Sequence, residues 1–475
     1  MTPFAQSLVD ALGADLVTTT AADIAPWLTD WRGIYHGAAQ ALVRPRTTAQ
    51  VATCIRLCHE AHVPVVPRGG NTGLCGAATP APHQDDVPDS VIVCLDRMNA
   101  VRSVDTISNV MIAEAGCVLA DLQHAAENSN RMLPLSLAAE GSCQLGGNLS
   151  TNAGGVNVVR YGMTRELVLG VEAVLPTGEI FEGLRTLRKD NTGYDLKQLL
   201  IGAEGTLGII TAASLRLFPR NGVRTVVLAA VDSPAQALAL YSLVFEQCGQ
   251  RVQAFEYFTQ ACIGLVLQHV DGLRSPFPES HPGYVLLELA DTVDENALNA
   301  LVENVIGSAL EAELCSDAVV STSLAQLESI WRLREEISEA QRLDGPHLKH
   351  DVSVPIDALP DFMVAAQQRV ETALPGARLF IFGHFGDGNL HYNVSRPADT
   401  APDFFAKHPT AAEAVTDAVL EEVALVHGSI SAEHGIGQLK RHHFHQYKSP
   451  LERHLMQSIK HVFDPHGIMN PGKLL

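Results

Sequence analysis

Three glycine-rich segments, each joined to a β-rich run, punctuate residues 65–210 and limit what the chain can build. They read "VVPRGGNTGLCG" (65–76), "AAEGSCQLGGNLSTNAGGVNVVRYG" (138–162) and "LRKDNTGYDLKQLLIGAEGTLGII" (187–210). Glycine lets backbone N–H groups turn inward and lets the backbone approach a flat, phosphorylated ligand closely. Arg68 adds a charge to the first segment, and Ser142, Thr151 and Asn152 add hydroxyl and amide groups to the second. The chain has no Gly-Lys-Ser/Thr, so the first segment is not a Walker loop, and it also lacks the Gly-x-Gly-x-x-Gly of nicotinamide-binding folds. Three dispersed segments suit a long cofactor such as a flavin dinucleotide. The plain alternative is a set of loops capping a glycine-rich sheet.

Around these segments, helical and strand-like patterns alternate. "TTAQVATCIRLCHEAH" and "LADLQHAAENSN" read as helices. "VPVVP", "VIVCL", "NVMIAEAG", "VLGVEAVLPTGEIFE" and "GIITAASLRLFP" read as strands, with "PTGE" setting a hairpin. This is an α+β pattern. At about 150 residues per domain, 475 residues imply two or three domains. The glycine-rich loops stop near Val223. "RTVVLAAV", "YVLLELA" and the helical stretches "SPAQALALYSLV" and "DENALNALVENVIGSALEA" then predict an open sheet with helices on one face. "WRLREEISEAQRLD" reads as one charged helix.

A net charge of -20, from 53 acidic and 33 basic residues with no Lys/Arg run longer than two, argues against nucleic acid and anionic membranes as partners. No apolar run is long enough for a bilayer, and "MTPFAQSLVDALGADLVTTT" lacks the pattern of a signal peptide, so a cytoplasmic chain is expected. Nine cysteines without a Cys-x-x-Cys argue against an iron–sulfur cluster, and Cys54 and Cys58 fall in phase with Val51 and Ile55 as small apolar groups.

"FGHFGDGNLHYNV" (382–394) holds His384 and His391. At an odd spacing on a strand they would face opposite ways, so they converge only if Gly386, Gly388 and Asn389 fold the chain into a hairpin. Two imidazoles suit a borderline divalent ion but are too few to bind it tightly. "SAEHGIGQLKR" offers Glu433 as the missing carboxylate, beside His434. "RHHFHQYK" reads as a solvated face. These residues alone leave open a metal-dependent hydrolase without flavin, and a non-catalytic subunit of a larger complex.

Taken in order, "PRGGNTGL", "GSCQLGGNLSTNAGG", "RYG", "LRKDNTGYDLKQLLIGAEGTLGIIT", "FGHFGDGNLHYNV", "SAEHGIG" and "DPHGIMNPGKLL" resemble the vanillyl-alcohol-oxidase type of FAD-linked oxidoreductases. Within it the chain is similar to the branch of D-2-hydroxyglutarate, D-lactate and glycolate dehydrogenases. The resemblance implies an FAD-binding domain of two α+β subdomains (1–222), a cap domain with an antiparallel sheet (223–425) and a C-terminal helical segment returning to the FAD domain (426–475). It implies non-covalent FAD, with Arg68, Gly69, Gly70, Asn71 and Thr72 on the pyrophosphate. Gly141, Ser142, Gly146, Gly147, Asn148, Asn152, Gly154 and Gly155 would line the flavin, Gly205, Ile209 and Ile210 the adenine and ribose, and Asn470 the ring edge. A divalent metal, zinc-like, would lie on His384, His391 and Glu433, with His434 as general base.

For substrate the resemblance implies a small D-2-hydroxyacid, best matched to D-2-hydroxyglutarate, with D-lactate, D-malate or glycolate as the alternative. Arg334 and Lys349, fifteen apart, would pair with carboxylates, and Asn393 would hydrogen-bond the same group. The plain reading of Arg334 is a surface ion pair with Glu335 or Glu336. Leu348 and His350 beside the lysine, and Cys75 and Ala77 in the phosphate loop, depart from the family pattern. With no haem or cluster motif, electrons must leave through an external acceptor such as an electron-transfer flavoprotein, a quinone or oxygen. A homodimer is the assembly allowed for.

Overall fold

The structure is a computed structural model that describes residues 1–292 and 294–475. They divide into two compact units, one of Met1–Gly154, Gly162–Arg220 and Glu433–Leu475, the other of Gly155–Tyr161 and Asn221–Ala432.

In the first unit a four-stranded sheet runs in the order Val17–Thr18, Ala39–Val43, Ser90–Cys94, Val65–Arg68, with the last three strands parallel. Val91, Ile92 and Val93 are fully buried, as a continuous apolar run in a covered parallel sheet should be. Helix Thr48–Glu60 crosses between two of these strands. It is capped by Thr47, whose hydroxyl accepts the Gln50 N–H, and it buries the predicted stripe of Val51, Cys54, Ile55 and Cys58. The chain end returns to this sheet. Val65 N–H donates to the Ile468 carbonyl, and Asn470 N–H donates to the Val65 carbonyl, both at 2.8 Å. A second sheet is antiparallel, in the order Val101–Asp105, Val110–Glu114, Ile209–Arg216, Val168–Val174, Ile180–Gly183. Its predicted "PTGE" turn is present, with Gly178 at φ +86°.

The second unit is built on an eight-stranded antiparallel sheet. Its order is Asp317–Val320, Val223–Val231, Gly283–Asp291, Val252–Thr259, Arg378–Gly383, Asn389–Ser395, His347–Leu348, and Asp351–Ser353 also pairs with Asn389–Ser395. Helices cover both faces rather than the one expected. Gln260–His269, Leu324–Glu335 and Ile337–Asp344 seal a core of Leu228, Phe258, Leu286, Trp331 and Phe382. On the opposite face Tyr241, from helix Pro234–Cys248, stacks edge-on against Phe255 with ring centroids 5.2 Å apart. Gly283–Asp291 foreshadows this, being buried at every position up to Ala290 rather than alternating. The charged stretch read as one helix is two, Leu324–Glu335 and Ile337–Asp344, breaking at Glu336. No described helix is long and apolar enough to cross a membrane.

Candidate active site

In the first unit the glycine-rich loop follows the edge strand Val65–Arg68. Arg68 is buried. Its guanidinium donates to the Trp27 carbonyl at 2.6 Å and lies 5.4 Å from the Trp27 ring centre, so it braces the loop. A Cβ on Gly70 would stand 2.1 Å from the Ser142 carbonyl oxygen, so this loop and the second glycine segment meet backbone to backbone. Gly69 faces Gln144, Asn71 takes φ +56° and donates to the Thr29 carbonyl, and Thr72 is half-buried. Gly146 packs on Ala115, where a Cβ would come within 2.9 Å of the alanine methyl. Cβ atoms on Gly73, Gly141 and Gly147 would meet nothing within 4 Å.

Asn152 ends helix Leu145–Thr151 at φ +49°, its side-chain oxygen accepting the Arg165 N–H at 2.9 Å. Gly205, at φ +72°, lies against Pro67. Ile209 and Ile210 are core residues at the start of their strand, and Gly154 and Gly155 are buried where the chain leaves the first unit. Asn470 is buried and donates to the carbonyls of Ala77 and Glu204. Four buried side-chain oxygens here, Thr79 Oγ1, Gln144 Oε1, Asn148 Oδ1 and Asn470 Oδ1, have no hydrogen-bond partner within the protein.

Glu433 and His434 open the C-terminal segment of the same unit, their carboxylate and imidazole 3.8 Å apart and both partly exposed. The residue before them, Ala432 of the second unit, donates its N–H to the Asp351 carbonyl.

In the second unit the predicted hairpin is present. Strand Arg378–Gly383 turns through Phe385–Asp387 into Asn389–Ser395, and the His384 and His391 rings come to 5.8 Å centre to centre. Asp351 pairs with His391 across the sheet and accepts from the Asn389 amide at 3.0 Å. His384 Nδ1 lies 2.7 Å from Glu256 Oε1. Arg334 does not pair with Glu335 or Glu336 at the surface. It is buried, its Nε donates to Glu256 Oε2 at 2.8 Å, its Nη2 lies 2.8 Å from the same oxygen, and its guanidinium stands 4.8 Å from the Phe382 ring centre. Burial works against a charge on the fully enclosed Glu256. The His384 and Arg334 charges and hydrogen bonds outweigh it and hold the carboxyl below its usual range.

Asn393, on the same sheet face as His391, is buried and donates to Gln341 Oε1 at 2.9 Å. The register pairing Leu348 with Val394 and Asp351 with His391 puts Lys349 opposite Asn393, with its side chain exposed. Burial drives the Asp387 carboxyl at the hairpin turn up to about 6.

Residues 220–474 match the family described as FAD linked oxidases, C-terminal domain, and residues 39–183 match the FAD binding domain. The chain is 40% identical to the mitochondrial D-2-hydroxyglutarate dehydrogenase of Bos taurus, over 97% of this chain and 81% of the relative. It is 39% identical to the D-2-hydroxyglutarate dehydrogenase of Xanthomonas citri pv. viticola, over 98% and 96%. The chain belongs to the D-2-hydroxyglutarate dehydrogenase family of FAD-linked oxidases. Its fold is that of p-cresol methylhydroxylase, with a TM-score of 0.75 at 15% identity over 99% of this chain and 96% of that one.

As a member of this family the chain is an FAD-dependent oxidoreductase, and its first unit fits that cofactor. Flavin and ribose carry N–H and O–H donors. Three of the orphaned atoms are amide oxygens that such donors would satisfy, and the fourth, the Thr79 hydroxyl, can donate or accept; a Cβ on Gly141 or Gly147 would meet open space. His391 Nδ1 lies 3.9 Å from Asp351 Oδ1, and imidazole and carboxylate are ligand types that suit a borderline divalent ion.

Sequence reading passed over Glu256. Its signal was present in two places. Arg334 falls in phase with Leu327, Ile330 and Trp331 on a helix stripe that should be apolar. Glu256 falls in phase with Ala254 and Phe258 on a strand face that should be apolar too. A charge on each of two buried faces announces a buried pair.

Proposed function

We propose that the chain oxidises D-2-hydroxyglutarate to 2-oxoglutarate with FAD and a divalent metal, zinc or a similar ion, and passes the electrons to an external acceptor such as an electron-transfer flavoprotein or a quinone. Family membership supports the hydroxyacid chemistry. The pair of imidazoles 5.8 Å apart beside a buried arginine carries the rest of the reading.

Bound non-covalently, FAD would accept the hydrogen and electron pair that leave C2 of the substrate. A divalent ion on His384, His391 and Glu433 would make the hydroxyl proton easier to remove and orient the substrate. His434 takes that proton, because an imidazole titrates near working pH. Arg334 has five guanidinium N–H groups. Glu256 Oε2 occupies the edge formed by Nε and Nη2, which leaves the Nη1 edge for a substrate carboxylate. Asn393 hydrogen-bonds that same carboxylate, and Lys349, opposite Asn393 in register, holds the other one.

The exposure of Lys349 favours a second reading, in which it binds no substrate and the preferred acid has a single carboxylate, D-lactate or glycolate. Anaerobic bleaching of the flavin absorbance, followed with D-2-hydroxyglutarate, D-malate, D-lactate and glycolate in parallel and with or without a chelator, decides between them. Fast bleaching by D-2-hydroxyglutarate that the chelator abolishes is expected. Bleaching by D-lactate or glycolate alone would transfer Arg334 or Lys349 to a structural role, and chelator-insensitive bleaching would remove the metal.

A further inference from the structure

Glu256 sits in the middle of strand Val252–Thr259, fully buried, opposite Leu286 on one neighbouring strand and with Arg334 and His384 on its carboxylate. Replacing a buried ion pair by apolar side chains of similar volume is often neutral or stabilising, so stability is a poor account of why this one stands in a largely apolar face. The geometry divides its two oxygens. Oε2 takes the Nε and Nη2 side of Arg334, and Oε1 alone faces His384 Nδ1 at 2.7 Å. An ionised carboxylate only accepts hydrogen bonds, so Nδ1 must carry the hydrogen; when His384 gives up its other proton to bind a cation, the lone pair therefore lies on Nε2.

We propose that Glu256 is a positioning residue for the reaction: it fixes His384 in the Nδ1–H tautomer so that Nε2 is presented to a divalent cation, and it orients Arg334 so that the guanidinium offers its Nη1 edge to a substrate carboxylate. A carboxylate behind a ligating histidine sets the ring's orientation and raises its basicity as a ligand. One acidic residue thus couples the cation site to the carboxylate site. The inference rests on the metal-assisted reading given under Proposed function.

The same sheet supplies its own control. Glu288 is equally buried, but it accepts from Arg224 and from the Trp331 indole N–H and touches neither histidine.

The test compares FAD-loaded wild type, Glu256→Gln and Glu288→Gln. Zn2+ affinity is measured by competition with a chromophoric chelator, and KM for D-2-hydroxyglutarate at saturating Zn2+. Glu256→Gln should bind Zn2+ about tenfold to a hundredfold more weakly and raise KM, with flavin content unchanged, whereas Glu288→Gln should move neither. Wild-type Zn2+ affinity in Glu256→Gln would overturn the proposal and leave the metal reading standing. A wild type that binds no Zn2+ would overturn the metal reading, and the cation role of Glu256 with it. Should Glu256→Gln fail to fold, imidazole 15N shifts of metal-free wild type, assigned with His384→Asn, read the tautomer directly. A protonated Nδ1 supports the proposal and a protonated Nε2 overturns it.

Discussion

Glu204 Oε2 accepts the backbone N–H of Gly437 at 2.7 Å across 233 residues of sequence, and Oε1 accepts that of Ile436 at the same distance. The carboxylate is buried, and a Cβ on Gly435 would already touch it. It anchors the segment that follows Glu433 and His434. Glu204→Ala would leave two buried amides unsatisfied, at about 1–3 kcal/mol each. The variant should melt about 2–6 °C lower, with faster amide exchange at residues 433–440. Unchanged exchange there would show that other contacts hold the segment.

Gly70→Ala should cost the protein its flavin. The new methyl would stand 2.1 Å from the Ser142 carbonyl oxygen, and both sides of that contact are backbone, so the two glycine-rich segments must part. The expected outcome is a folded protein by far-UV circular dichroism that purifies nearly colourless. A wild-type ratio of visible to protein absorbance would place the cofactor away from this contact.

His434→Ala should keep FAD and slow flavin reduction by a factor of about a hundred or more, the usual worth of a general base. Stopped-flow bleaching at saturating substrate reads this directly. Rates equal to wild type would remove His434 from the proton transfer.

Lys349→Met should raise KM for D-2-hydroxyglutarate about tenfold or more, while leaving KM for D-lactate within about twofold, because a charge-assisted hydrogen bond to a second carboxylate contributes about 1.5–3 kcal/mol. Equal effects on both acids would assign Lys349 to the shared carboxylate instead.

Lys473 gives a pH signature. Burial, with a smaller effect from Arg441, pulls its ammonium from 10.5 down to about 8, and its Nζ donates only to the Pro471 carbonyl. The folded state therefore loses this proton earlier than the unfolded chain does. Stability rises with pH between about 8 and 10.5, and below 8 the charge is carried at a cost of about 3 kcal/mol at 1.36 kcal/mol per pH unit. Lys473→Met should accordingly be more stable than wild type at pH 7 and lose that advantage by pH 10.5 in denaturant titrations. A difference independent of pH would mean that the ammonium is solvated.

Much of the architecture was legible locally. The stripe of Val51, Cys54, Ile55 and Cys58, the "PTGE" turn and the hairpin between His384 and His391 each depend on residues close in sequence, where period and turn chemistry speak directly. The strand Val252–Thr259 escaped notice because "VQAFEYFT" interrupts its apolar run with glutamine and glutamate. Those two residues make sense only once Arg160, Asn221, Arg334 and His384 are beside them.

By itself the sequence offered glycine-rich loops suited to a long phosphorylated cofactor, and a turn able to bring two histidines together, since both depend on local backbone freedom. Tertiary structure alone decided which charges met. Arg334 reached Glu256 rather than its helical neighbours, and the chain end reached Val65 and Glu204, because these partners lie far apart in sequence. A buried charge or amide must be satisfied by whichever group the packed layers bring within about 3 Å.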